Sequence, residues 1–123
     1  MWLNVLVVGV GSFVGGVLRY LISVSMRDVS AGFPWATLLV NVVGCFMIGL
    51  VYGLCARYVN VPQQMCLLLI TGLCGGFTTF STFAAESLSL LQEGNIGLFL
   101  TYVLLSLLGG LLAVLLGGSL CRL

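Results

Sequence analysis

Gly72-Leu73-Cys74-Gly75-Gly76-Phe77-Thr78-Thr79-Phe80-Ser81-Thr82-Phe83 lies in the middle of an apolar stretch that runs from Met65 to Leu91. As an unbroken helix those 27 residues would reach ~40 Å, against a bilayer hydrocarbon core of ~30 Å. The stretch must tilt or break, and its glycines and β-branched hydroxyl residues are poor helix formers. The reading is a membrane helix that unwinds over Gly75 to Thr79. Irregular backbone at that depth persists only when it is buried in protein or lines a cavity, and carbonyls freed there commonly coordinate a cation. If the break lay on a two-fold axis, two carbonyls from each copy would give four oxygen ligands for a permanently held monovalent cation. The plainer alternative is a kink repaired within the helix by threonine hydroxyls.

Three further apolar stretches flank this one, at about 2–24, 35–58 and 96–120, joined by connectors of ten residues or fewer. With 61% hydrophobic and 6% charged side chains in 123 residues, the chain lacks the polar surface of a soluble domain, which averages about 25% charged residues. Each stretch is long enough for the ~20 residues that cross a bilayer, and too continuously apolar for the alternating strands of a barrel. The first reads as a retained span and not a secretion signal, because it lacks a basic flank and three more spans follow. The expected fold is one all-α transmembrane domain over 1–123, with four helices at about 2–24, 35–58, 65–91 and 96–120, the third broken mid-membrane.

Five cysteines, Cys45, Cys55, Cys66, Cys74 and Cys121, form no CxxC pair and read as small packing residues in apolar helices. The absence of histidine removes the commonest general base and transition-metal ligand, which argues against enzymatic chemistry. Small-xxx-small spacings at Gly11 and Gly15, Gly49 and Gly53, and Ser106 and Gly110 suit close helix packing in lipid.

Membrane orientation normally follows an excess of Lys and Arg in cytoplasmic segments. Four spans put Arg57 and Arg122 on one side and Arg19 and Arg27 on the other, so no excess exists. The chain is expected to insert both ways round, and two copies can then pair antiparallel about an axis in the membrane plane, as a dual-topology homodimer. The alternative is that one orientation wins on grounds other than these few charges.

Beyond the break, Phe80 and Phe83 share one helical face, while Thr78, Thr82 and Glu86 form a second, with Ser81 beside them. An acid within a span is costly and faces a cavity or a partner, for which Arg19 is the candidate; Arg19 could instead snorkel toward an aqueous vestibule. Asn41 lies about 9 Å into the second span and needs hydrogen-bond partners or a ligand. The intramembrane polar set is therefore rich in neutral donors: Asn41 and the hydroxyls of Thr37, Thr78, Thr79, Ser81, Thr82, Tyr102 and Ser106. Donors suit an anion, and phenyl ring edges, the positive end of the ring quadrupole, add weak ones.

GGVLRY (Gly15 to Tyr20), WATLLVNVVGCFMIG (Trp35 to Gly49) and GLCGGFTTFSTFAAE (Gly72 to Glu86) resemble the Fluc/CrcB fluoride channels, and the likeness covers all four spans. It implies a bacterial inner-membrane protein that forms an antiparallel homodimer with two pores and lowers cytoplasmic fluoride by passive, fluoride-selective export. By the same likeness, Phe80 and Phe83 face dehydrating fluoride with their ring edges and Asn41 is a pore donor. Ser81, Thr82, Thr37 and Glu86 match a polar track, Tyr102 and Ser106 match pore-lining positions, and Arg19 matches the vestibule. Gly75 and Thr78 match backbone carbonyls that hold a structural sodium ion at the dimer centre. Gly110 stands where some members carry serine, so a donor is not expected there.

Two other classes compete. A small proton-coupled multidrug exporter would share this size and charge balance and use Glu86, but that class typically carries its acid in the first span, where this chain has Arg19. A non-conducting assembly subunit would tolerate substitution of Phe80 and Asn41.

Overall fold

The computed structural model describes residues 1–57 and 60–121 and consists of helices: Trp2–Ser25, Trp35–Arg57, a third span in pieces, and Ile96–Leu120. Tyr58, the expected end of the second span, and Arg122 of the charge count lie outside the described residues. Four segments are long and apolar enough to cross a membrane, the third extending over Gln63–Gln92.

Backbone close approach decides how these spans pack. The second and fourth helices share the longest contact, and the first helix lies along 67–77, within the first half of the third span. A Cβ on Gly15 would collide with the Leu73 carbonyl oxygen, and one on Gly11 would sit 2.6 Å from the Leu68 carbonyl oxygen. Backbone faces backbone there, so no side chain can rotate away. At Gly110 a Cβ would meet only the Cys45 sulfur, at 3.3 Å, a neighbour with freedom to move.

The third span starts as α-helix at Gln63–Cys66, widens to π-helix over Leu67–Cys74, returns to α-helix at Gly75–Phe77, and resumes as Phe80–Gln92. The break is shorter than the expected Gly75 to Thr79. Only Thr78 (φ −83°, ψ 159°) and Thr79 (φ −149°, ψ 122°) are extended. The glycines stay helical because Gly76 is packed against the first helix, where a Cβ would come within 2.8 Å of Ser12 Cα. The two β-branched residues, which favour extended backbone, take the break instead. Thr78 therefore does not share a helical face with Thr82 and Glu86, as the stripe had supposed.

At one end of the bundle Phe33 from the first connector, Leu90 and Tyr102 are buried together with Leu38, Phe83 and Phe99 against them. At the other end Arg57 Nη1 donates to the Cys121 carbonyl at 2.6 Å. Cys55 and Cys66 are joined in a disulfide with Cα atoms 6.7 Å apart, which corrects their reading as packing residues. The short connector returns the third span beside the end of the second and brings the two sulfurs together. Cys45, Cys74 and Cys121 are free thiols.

Gly15→Ala is expected to destabilise the bundle by about 1–3 kcal/mol through overpacking. Gly16→Ala, whose added carbon meets no neighbour, should be neutral or slightly stabilising. Thermal midpoints of the two variants in detergent, read by size exclusion after heating, would separate them; equal midpoints would contradict the packing described.

Candidate functional site

Breaking a helix inside a membrane strands the last carbonyls of one half and the first N–H groups of the next, and no water is at hand to satisfy them. Side chains from three spans answer this at Thr78–Thr79. The Cys74 carbonyl accepts from the Thr78 N–H at 3.0 Å and the Thr78 hydroxyl at 2.9 Å. Arg19 Nε donates to the Gly76 carbonyl at 3.2 Å. Asn41 clasps Thr79 with both ends of its amide: Oδ1 accepts from the Thr79 N–H at 2.8 Å and Nδ2 donates to the Thr79 carbonyl at 3.0 Å. The Thr79 hydroxyl then accepts from the Thr82 N–H at 3.2 Å, an N-cap for the outgoing half. In an uninterrupted helix the Thr79 N–H would bond to Gly75, so the clasp frees the Gly75 carbonyl. None of these capping groups takes the Thr78 carbonyl either.

Beside the clasp is a crevice of about 270 Å³ lined by Asn41, Gly44, Cys45, Phe80, Phe83 and Ser106, among others. Asn41 has one amide N–H left after bonding Thr79. The Ser106 hydroxyl is buried with no hydrogen-bond partner among the described residues. The Phe80 and Phe83 rings lie 5.9 Å apart at 50°. Phe83 continues the row to Tyr102, 5.2 Å away at 52°. Tyr102 is fully buried and its hydroxyl donates to Glu86 Oε1 at 3.3 Å, with Thr37 next to it. Glu86 in turn lines a cavity of about 140 Å³ with Ser30, Ser89 and Glu93. Polar groups thus run from the break to the end of the bundle where the first connector crosses.

Glu86 bonds to Tyr102, and Arg19 is spent on the Gly76 carbonyl, so the suggested pairing of Arg19 with Glu86 is not found. The reason is local: an orphaned carbonyl lies within reach of the guanidinium, and a phenol within reach of the carboxylate. Ser81 is exposed, its Oγ 3.4 Å from Thr79 Oγ1. Phe80 is 78% exposed, its ring projecting off its own bundle. Sequence reasoning left Asn41 with either hydrogen-bond partners or a ligand, and the structure supplies partners in the Thr79 backbone, which spacing could not identify. That reasoning counted Thr79 among the donors and did not foresee that its hydroxyl also accepts as a helix cap, a role that a threonine opening a helix could have signalled. Gly44 and Glu93 were not singled out, and Cys45 was read only as a packing residue; all three line the two cavities.

The family model described as CrcB-like protein, Camphor Resistance (CrcB), matches residues 6–118. A fluoride-specific ion channel FluC of Prosthecochloris aestuarii is 46% identical, covering 96% of this chain and 92% of its own length. Proteins of the same name from Agrobacterium fabrum (46% identical; 98% and 97% covered) and Phocaeicola vulgatus (45%; 93% and 94%) are similarly close.

Thr79→Val keeps the extended backbone but deletes the cap acceptor, and is expected to cost about 0.5–2 kcal/mol of stability. Thr79→Ser should retain most of it. Comparable unfolding midpoints for the valine variant and the parent would contradict the cap.

Proposed function

The chain belongs to the CrcB-like family, and from that membership we propose that it is a fluoride-selective channel working as an antiparallel homodimer with two pores. It is a multi-pass bacterial membrane protein. In the inner membrane such a pore lowers cytoplasmic fluoride, because neutral HF enters, dissociates inside, and leaves as the anion by passive flow.

One observation carries this reading: an unused Asn41 N–H, an unpartnered buried Ser106 hydroxyl and the Phe80 and Phe83 rings meet in one crevice. Fluoride holds its water tightly, so a conducting site must replace hydration with several weak donors while leaving exit open. Amide, hydroxyl and ring edges in file meet that requirement. Thr37, Ser81, Thr82, Tyr102 and Glu86 continue the track. Phe80, exposed on its own subunit, completes a pore shared with the second copy. Arg19 does not line the crevice and serves the vestibule, where a cation attracts the anion without trapping it.

A sodium ion at the dimer centre suits the donors at the break. The Gly75 and Thr78 carbonyls are neutral oxygens left outside the capping network, and two from each copy make a four-oxygen cage for a monovalent cation. Bound there, sodium would supply the positive charge that holds the two breaks together.

Purified protein in liposomes, followed by a fluoride electrode with chloride as the control, tests the function. Rapid fluoride loss without chloride loss is expected, and no fluoride flux from folded protein would sink the reading. Asn41→Asp exchanges a donor for a like charge and is expected to reduce flux by about tenfold or more. Phe80→Ile should also reduce it while leaving the dimer intact on a sizing column; parental flux in both variants would remove these residues from the pore.

A further inference from the structure

The Cys55–Cys66 disulfide sits at the polar edge of the bundle. It joins the end of the second helix to the start of the third span, across a short connector where Arg57, Asn60, Gln63 and Gln64 lie in or next to the turn. Cys55 and Cys66 are both partly exposed, whereas the free thiols of Cys74 and Cys121 are buried. The pair therefore meets the redox agents of whichever compartment the connector faces. Disulfides persist on the oxidising side of a bacterial inner membrane, and thiols are kept reduced on the cytoplasmic side.

Resting on the dual-topology reading above, we propose that the dimer carries this disulfide in only one of its two copies. In the copy whose second connector faces the periplasm, a periplasmic protein disulfide is the oxidant. The thiolate of one cysteine attacks it to form a mixed disulfide, the second cysteine displaces the carrier, and the carrier leaves as a dithiol with the two electrons. In the oppositely oriented copy, cytoplasmic dithiols run the same exchange in reverse and Cys55 and Cys66 remain thiols. Two chains of identical sequence thus become chemically distinct. The bond clamps the first half of the third span, 63–77, to the second helix in one copy alone. That half ends at the break, so the two pores would draw on unequally restrained halves.

The test begins in cells quenched with acid and a membrane-permeant maleimide, followed by purification without reductant. Peptide mass spectrometry then counts chains with Cys55 joined to Cys66 against chains alkylated at both, with Cys66→Ser as the reduced reference. Orientation is measured in the same strain with C-terminal alkaline phosphatase and green fluorescent protein fusions. The expected result is both orientations present and half the chains oxidised. Both orientations with all or no chains oxidised would overturn the inference and leave the antiparallel dimer standing. A single orientation would overturn both. Charge-biased chains give an independent reading: Gln63→Lys with Gln64→Lys draws the second connector into the cytoplasm and should abolish the disulfide. Asp28→Lys with Ala31→Lys draws in the opposite side and should bring every chain to the oxidised form; unchanged oxidation in both would count against the proposal.

Discussion

The paired hydrogen bonds between the Asn41 amide and the Thr79 backbone are the constraint on which the rest of this structure depends. A backbone group left unpaired in hydrocarbon costs several kcal/mol, so a two-residue break needs partners supplied by neighbouring helices. Asn41 offers a carbonyl and an N–H in the same order as a strand edge would, and it meets Thr79 at 2.8 and 3.0 Å. Once that pair is made, the Thr79 hydroxyl is free to cap the outgoing half, and the Gly75 carbonyl has no partner in the turn it would otherwise close. The positions of the Phe80 and Phe83 rings follow, because the helix that carries them starts from the clasped residue.

Close packing of the first helix is the second condition. Gly11 and Gly15 let that helix reach the first half of the third span, and this approach brings Arg19 to the Gly76 carbonyl. The guanidinium is thereby fixed on a backbone oxygen, in a place where an exposed arginine would otherwise snorkel to water. The same contact keeps Gly76 helical and confines the unwinding to Thr78 and Thr79. Packing and break are therefore one arrangement.

Much of this was legible in the sequence, for identifiable reasons. Long apolar runs set the four spans, since length and hydropathy alone decide what can cross a bilayer. The break was narrowed to a few residues by composition, but its exact extent depended on which glycines the first helix needed, and that is a tertiary fact. The π-helical turns over Leu67–Cys74 left no trace, because LLLITGLC is apolar almost throughout and carries no phase. The disulfide was hidden as well: Cys55 and Cys66 are 11 residues apart, and only the path of the connector makes them neighbours. The Asn41, Phe80 and Phe83 grouping is read from pattern and likeness, whereas the partner of Glu86 required the fold: charge pointed to Arg19 alone, and only packing brings the Tyr102 hydroxyl to the carboxyl.

The Tyr102–Glu86 bond constrains what the polar file can do. A phenol has one proton, and here it is directed at the Glu86 carboxylate. While that bond holds, Tyr102 presents lone pairs to anything passing and cannot donate to an anion. The carboxylate is in that sense a resident competitor for the hydroxyl. Ser106 lies one helical turn further along the same helix with its hydroxyl unpartnered among the described residues, so on the proposed pore reading it is the fourth-helix donor that would be open to an anion without displacing another group. On the pore reading proposed above, an anion moving on from Ser106 toward Glu86 would gain the Tyr102 proton only if Glu86 gave up that bond.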